Sequence, residues 1–180
     1  LAATVFVVMS TWRRGRAILS SRLAEGSLPL ELALPDIVAR THRVRGTGVF
    51  LHGNPTTTPP ALLHSLKHLK VIHERVVFLR VEVLDRAYVE TSRRCTVEDL
   101  GDEFYRVVLR YGFAEVPAVA DDLRDVPLGD APLKPLETTY LLGRERLIAS
   151  HRPGMALWRE KMFSGMSNNA TSAADFFGLP

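Results

Sequence analysis

The chain has 180 residues, 46% hydrophobic and 24% charged, which is room for one domain with an appendage and enough apolar material for a core. A formal net charge of +3 is too small to argue for a nucleic-acid partner. The single cysteine, Cys95, excludes an internal disulfide, fits a reducing compartment and reads as a small loop residue.

Leu1 to Met9 is apolar except for Thr4, and Ser10-Thr11-Trp12-Arg13-Arg14-Gly15-Arg16 follows. That run is too short to cross a bilayer, which needs roughly 20 residues. A signal peptide would put its charges before the apolar run, not after it. The order fits the last turns of a transmembrane helix over residues 1–12. Trp12 would then sit at the interface, with Arg13, Arg14 and Arg16 as a cytoplasmic anchor. A buried soluble helix whose arginines complement its C-terminal dipole fits equally well. Residues 13–45 read as a basic juxtamembrane segment and connector. Within it, Arg16–Leu23 continues as helix, Leu28–Leu32 is extended or briefly helical, and Asp36–Val44 is a second connector. The chain opens on Leu1 rather than methionine and stops at Pro180 without a polar tail, so both ends read as truncated.

Residues 46–180 read as an α/β domain. Thr47–His52 is an apolar strand that ends in the turn formers Gly53-Asn54-Pro55. Thr58 is placed to cap a helix over Pro59–Lys70, with Pro59 at its first position. Leu62, Leu63, Leu66 and Leu69 form its buried side, opposite His64, Lys67 and His68. Arg75–Leu84 alternates as a strand, and strand, helix and strand together imply a parallel, right-handed unit. Thr96–Leu100 and Phe104–Phe113 form an antiparallel pair across a tight turn, so the sheet is mixed. Pro117 opens a short helix ending near Leu123, Asp125–Pro135 is the most loop-like stretch, and Thr138–Leu142 is a fifth strand. Trp158, Met162, Met166, Ala173 and Phe177 recur at helical spacing, which predicts a long C-terminal helix with a weak point near Asn168. The fold class is therefore α/β (α+β), a mixed sheet of five strands built on a βαβ unit.

Few residues invite chemistry. His64 and His68 stand i, i+4 on one helix, but no third ligand follows and Lys67 repels a cation, so they read as a solvated basic face rather than a metal site. His73-Glu74-Arg75 reads as a junction ion pair as well as anything catalytic. The loop Gly53–Thr58, between a strand end and a helix start, has the placement of an anion site. In it Asn54, Thr56, Thr57 and Thr58 would contact a nucleotide phosphate, with Lys67 as charge partner. It is neither a P-loop nor a dinucleotide turn, and helix capping explains the same residues more simply. No catalytic residue and no cofactor is expected, so the chain does not read as an enzyme.

Four blocks carry more. MSTWRRGRAILSSRLAEGSLPLE, then RVRGTGVFL…NP…PPALLHSLKHLKVIHERVVFL, then EDLGDEFYRVVLRYGFAEVP, and finally RPGMALWREKMF…NNATSAADFFGLP closely resemble the C-terminal part of bacterial potassium uptake permeases of the KUP/HAK/KT family. The resemblance covers essentially the whole chain, with only Arg124–Pro135 outside it. It implies a cytosolic domain behind a transmembrane bundle in the bacterial inner membrane that imports potassium together with protons. Residues 1–12 would then be the end of the last membrane helix, and the family would run beyond Pro180 into one more strand. The potassium-binding residues would lie outside this fragment. A role in regulation by a cytosolic nucleotide, or in assembly as a homodimer, is consistent with it. The reading from another class is a stand-alone soluble module that binds a nucleotide through Gly53–Thr58.

Overall fold

The computed structural model describes residues 1–25, 27–54, 56–129, 132–143, 147 and 154–179. In chain order the elements are α1 (Ala2–Glu25), α2 (Leu30–Arg40), β1 (His42–Leu51), α3 (Pro60–Leu69), β2 (Val71–Leu84), α4 (Thr91–Arg94), β3 (Cys95–Gly101), β4 (Phe104–Gly112), α5 (Val119–Arg124), a 3-10 turn (Pro135–Glu137), β5 (Thr138–Leu142), α6 (Leu157–Asn168) and α7 (Ala173–Phe176). They fall into two units, one of Leu1–Ser27 with Arg144–Thr171, the other of Leu28–Gly143 with Ser172–Pro180.

The larger unit is a five-stranded sheet in the order β3-β4-β2-β1-β5. β1, β2, β4 and β5 run parallel, and only β3 is antiparallel. The βαβ reading and the mixed sheet are thus both present, with strands that run a few residues longer at β1 and β2 than expected. Val76-Val77-Phe78-Leu79 in the centre of β2 is buried on both faces, which is why it reads as an unbroken apolar run rather than a clean alternation. On one face Val77 and Leu79 join Val49, Tyr105, Val107, Leu109 and Tyr111 under α5. On the other, Val76 and Phe78 join Phe50 and Phe104 under α2 and α3. Phe50, Phe78 and Phe104 form a row across three strands, with centroids 6.4 and 6.1 Å apart.

Several expectations are corrected. The connector before β1 is α2, an 11-residue helix that buries Leu30, Ala33 and Ile37, spaced i, i+3, i+7. Its internal Pro35 removes one backbone donor but does not end the helix. On α3 only Leu62 is fully buried, while Leu66 is half-buried and Leu63 and Leu69 are exposed. The helix presents a narrower stripe than its leucines suggest, because α2 shares the same face of the sheet. The described residues of 125–134 form no helix or strand, as expected, and Val126, Leu128 and Leu133 among them complete the core against β4. The expected long C-terminal helix is two helices. α6 ends at Asn168, within a run of Ser and Asn that favours caps over helix interiors. Ser172 then opens α7 by accepting the Asp175 N–H at 3.2 Å.

In the smaller unit, α1 runs on through the arginine cluster and packs on α6. Trp12 meets Phe163 edge-on at 5.6 Å, and Gly15 lies so close to the Phe163 ring that a Cβ there would overlap it. Arg159 donates to the hydroxyls of Thr11 and Ser10, both at 2.8 Å. Thr11 is fully buried, so this charge-assisted bond fixes the two helices in register.

The division of labour on α3 can be checked by substitution. Leu62→Ala should cost about 3 kcal/mol in denaturant unfolding. Leu69→Ala, at a position 64% exposed, should stay within ~0.5 kcal/mol. Equal losses at both positions would contradict the packing.

Candidate functional site

The loop after β1 is positioned by the strand end and by the segment before α2. Leu30 N–H donates to the Thr56 carbonyl at 3.0 Å, and Thr58 N–H donates to the Leu28 carbonyl at 2.8 Å. Pro29 and Thr57 thus pair as a short antiparallel bridge. Asn54 Oδ1 accepts from the Thr56 N–H at 3.1 Å and from its hydroxyl at 2.9 Å, an Asx turn of the kind asparagine favours. Thr57 Oγ1 lies 2.8 Å from His52 Nε2.

These bonds change the reading of the loop. The amides of Thr56 and Thr58, expected to be free for a phosphate, are already bonded. Thr58 does not cap α3: Pro59 holds the cap position and the helix begins at Pro60. Two consecutive prolines supply no N–H, and the amides of Leu62 and Leu63 both go to the Pro59 carbonyl. The Thr58 hydroxyl is buried and has no hydrogen-bond partner among the described residues. A small cavity of about 10 Å³ lies beside His52, Asn54, Thr57 and Arg80, which is space for one water at most. Lys67 is exposed on α3 and makes no ion pair among the described residues. The structure therefore gathers Asn54, Thr56 and Thr57 into a closed turn and leaves Lys67 outside it. His64 and His68 stack edge-on at 4.6 Å on the exposed side of α3. Among the described residues no three His, Cys, Asp or Glu side chains gather as metal ligands would.

At the N-terminus Leu1 is exposed ahead of α1, and Val5, Phe6, Val8 and Met9 are exposed on it. Among the described residues no helix is long and apolar enough to cross a membrane. Trp12 contacts Phe163 rather than standing free, and Arg14 donates to the Gly154 carbonyl at 3.2 Å. Arg13 and Arg16 are exposed, with no ion pair among the described residues.

A polar knot that sequence reasoning missed lies where the chain leaves β2. Glu115 accepts from the N–H groups of Val89 at 3.1 Å and Gly112 at 2.5 Å, and from the Arg94 guanidinium. Arg94 also reaches Asp122, which accepts the Tyr111 hydroxyl at 2.5 Å. The Gly112 N–H, ahead of the other bonds, holds the Glu115 carboxyl below its ordinary range, and burial pushes the Tyr111 phenol up. Gly112 is required because a Cβ there would run into the Ala87 carbonyl. The signal was present as Arg94 and Glu115 flanking the β3–β4 pair, but their pairing needs the fold.

Residues 45–180 match the family described as the K+ potassium transporter C-terminal domain. A probable potassium transport system protein, Kup 1, of Novosphingobium aromaticivorans is 43% identical over 180 residues, covering 100% of this chain and 28% of the relative. Similar proteins of Myxococcus xanthus and Xanthomonas oryzae pv. oryzae are 45% and 44% identical, each over 100% of this chain and over 28% and 29% of the relative. The chain thus spans less than a third of the length of these relatives. No solved structure matches.

Burial lowers the His52 pKa below its ordinary 6.5, and His73 shifts the same way for the same reason. The fold therefore favours the neutral ring. Its contribution to stability is complete above pH 6.5 and is lost as the pH falls through 6.5 toward the folded-state value. An NMR titration should find the His52 ring protonating below pH 6.5, with unfolding made easier over the same range. Protonation at a higher pH would contradict the buried, Thr57-bonded placement.

Proposed function

Because the chain belongs to the family of K+ potassium transporter C-terminal domains, we propose that it is the cytoplasmic C-terminal domain of a bacterial inner-membrane permease that imports potassium together with protons. The observation that carries this is the family match over residues 45–180, joined by relatives over 40% identical across the whole chain that are named as potassium transport proteins. Proton coupling has an energetic rationale. At a membrane potential of 100 mV, each inward positive charge gains ~2.3 kcal/mol. Hundredfold accumulation of a cation costs ~2.8 kcal/mol. One charge falls short of that, whereas a potassium ion and a proton moving together exceed it.

The exposed apolar start of α1, followed by the exposed Arg13 and Arg16, supports a membrane exit on the cytoplasmic side, where basic residues concentrate. Among the described residues no cluster of side chains forms the shielded oxygen cage that a dehydrated potassium ion needs. The domain's role is therefore in the assembly or regulation of transport rather than in the ion path. The competing reading, a free-standing nucleotide module working through Gly53–Thr58, finds little support in a loop whose Thr56 and Thr58 amides are occupied.

The test is rubidium uptake by the full-length protein in bacteria that lack their own potassium importers. Uptake should appear and should collapse with a protonophore. Glu115→Ala in this domain should change its rate while leaving the preference for potassium over sodium intact. Absence of uptake would contradict the transporter reading, and altered ion preference in Glu115→Ala would contradict a role outside the ion path.

A further inference from the structure

We infer that the loop between β2 and β3, together with the end of β4, forms a binding groove for a small phosphate-bearing anion, built on Arg86, Arg93 and Arg110 with the hydroxyl-bearing Ser92 and Thr96. These side chains line one open groove of about 460 Å³, within the size range of small-ligand sites. Leu84, Val89 and Cys95 add apolar atoms to its lining.

The fold commits these arginines to different degrees. Arg86 has no carboxylate partner among the described residues. Arg93 faces Glu90 at 3.9 Å with both side chains about three-quarters exposed, a pair of little energetic weight. Arg110 shares Glu82 with Arg80, at 3.3 and 2.9 Å, and donates to Thr96 Oγ1 at 2.7 Å. Arg94, between them in sequence, is the contrast: it is 20% exposed and committed to Glu115 and Asp122. The fold thus commits Arg94, leaves Arg86 without a carboxylate and Arg93 in a weak exposed pair, and holds Arg110 against Glu82 and Thr96 at the edge of the same concavity.

The groove is also held in shape. Glu115 fixes the loop through the Val89 N–H, and the Phe113 and Ala114 amides donate to the carbonyls of Arg86 and Ala87 at 2.8 and 3.1 Å. The backbone under Arg86 is thereby tied to the end of β4, so binding has to order the arginine side chains but not the loop that carries them. Leu84 ends β2 and Arg110 lies near the end of the parallel β4. The groove therefore sits at the carboxyl ends of adjacent parallel strands, where open α/β sheets bind ligands. Guanidinium groups with neighbouring hydroxyls match the planar, multidentate recognition of phosphate oxygens. A free phosphorylated metabolite and a lipid headgroup share that chemistry.

Calorimetry of the 180-residue chain with pyrophosphate and with ADP, at low and moderate salt, tests the site. A parallel arm uses sedimentation with phosphatidylglycerol vesicles. Saturable, salt-sensitive binding should weaken at least tenfold in Arg86→Gln and in Ser92→Glu, two surface changes that leave the Glu115 knot untouched. Loss in the calorimetric arm identifies a soluble anion. Loss in the vesicle arm alone identifies a lipid headgroup. Failure of both arms to detect binding, or binding indifferent to both substitutions, would overturn the site.

Discussion

Everything in the larger unit depends on four residues, Val76-Val77-Phe78-Leu79, that have no solvent on either side. A central parallel strand of this kind must be covered twice, and the chain supplies the covers from opposite ends of its sequence. α2 and α3 come from before and just after β1, while α5, the residues around Val126–Leu133 and Phe177 come from after β4. With both faces closed, polar chemistry is left only at the strand ends and in the loops. At the carboxyl end of β1 even that space is shut, because the Leu28–Leu30 segment bonds across Thr56 and Thr58. At the ends of β2 and β4 it stays open, and the arginines there are in excess of their partners.

How much of this was legible follows from the range over which each signal acts. The run VVFL, the turn at Gly101–Glu103 and the alternation in Phe104–Tyr111 are local patterns. They place β3 and β4 nearly at their ends and β2 correctly at its end, while β1 and β2 begin several residues before their expected starts. The fifth, Thr138–Leu142, is found with its expected bounds. α2 was hidden by Pro29 and Pro35, since a proline within eleven residues argues against a helix until the buried spacing of Leu30, Ala33 and Ile37 is known to face a sheet. The loop at Gly53–Thr58 was misleading for a different reason. Its residues are correct for an anion site, but the Thr58 amide is taken by the Leu28 carbonyl, 30 residues earlier, which no local pattern encodes. Arg94 and Glu115 failed in the same way: their pairing is a property of the sheet order.

The sequence blocks that resemble the permease family acquire a physical meaning in the smaller unit. Thr11, Trp12, Arg14 and Gly15 belong to the first block and Gly154, Arg159 and Phe163 to the last, and these are the residues that pair α1 with α6. Trp12 and Arg14, expected as lipid anchors, here serve an intramolecular helix pair. Along this one helix the turns before Ser10 carry the exposed apolar side chains, and the turns from Ser10 onward carry the contacts to α6. Two small residues, Thr11 and Gly15, one turn apart, set how closely the helices approach.

The doubly covered strand is the claim on which the rest stands, and native-state hydrogen exchange across the 180-residue chain tests it most directly. The amides of Val77, Phe78 and Leu79 should be among the slowest in the chain and exchange only through global unfolding, while those of residues 2–9 on the exposed start of α1 exchange through local fraying. Exchange of the β2 amides at rates like those of the α1 start would contradict a sheet buried on both faces.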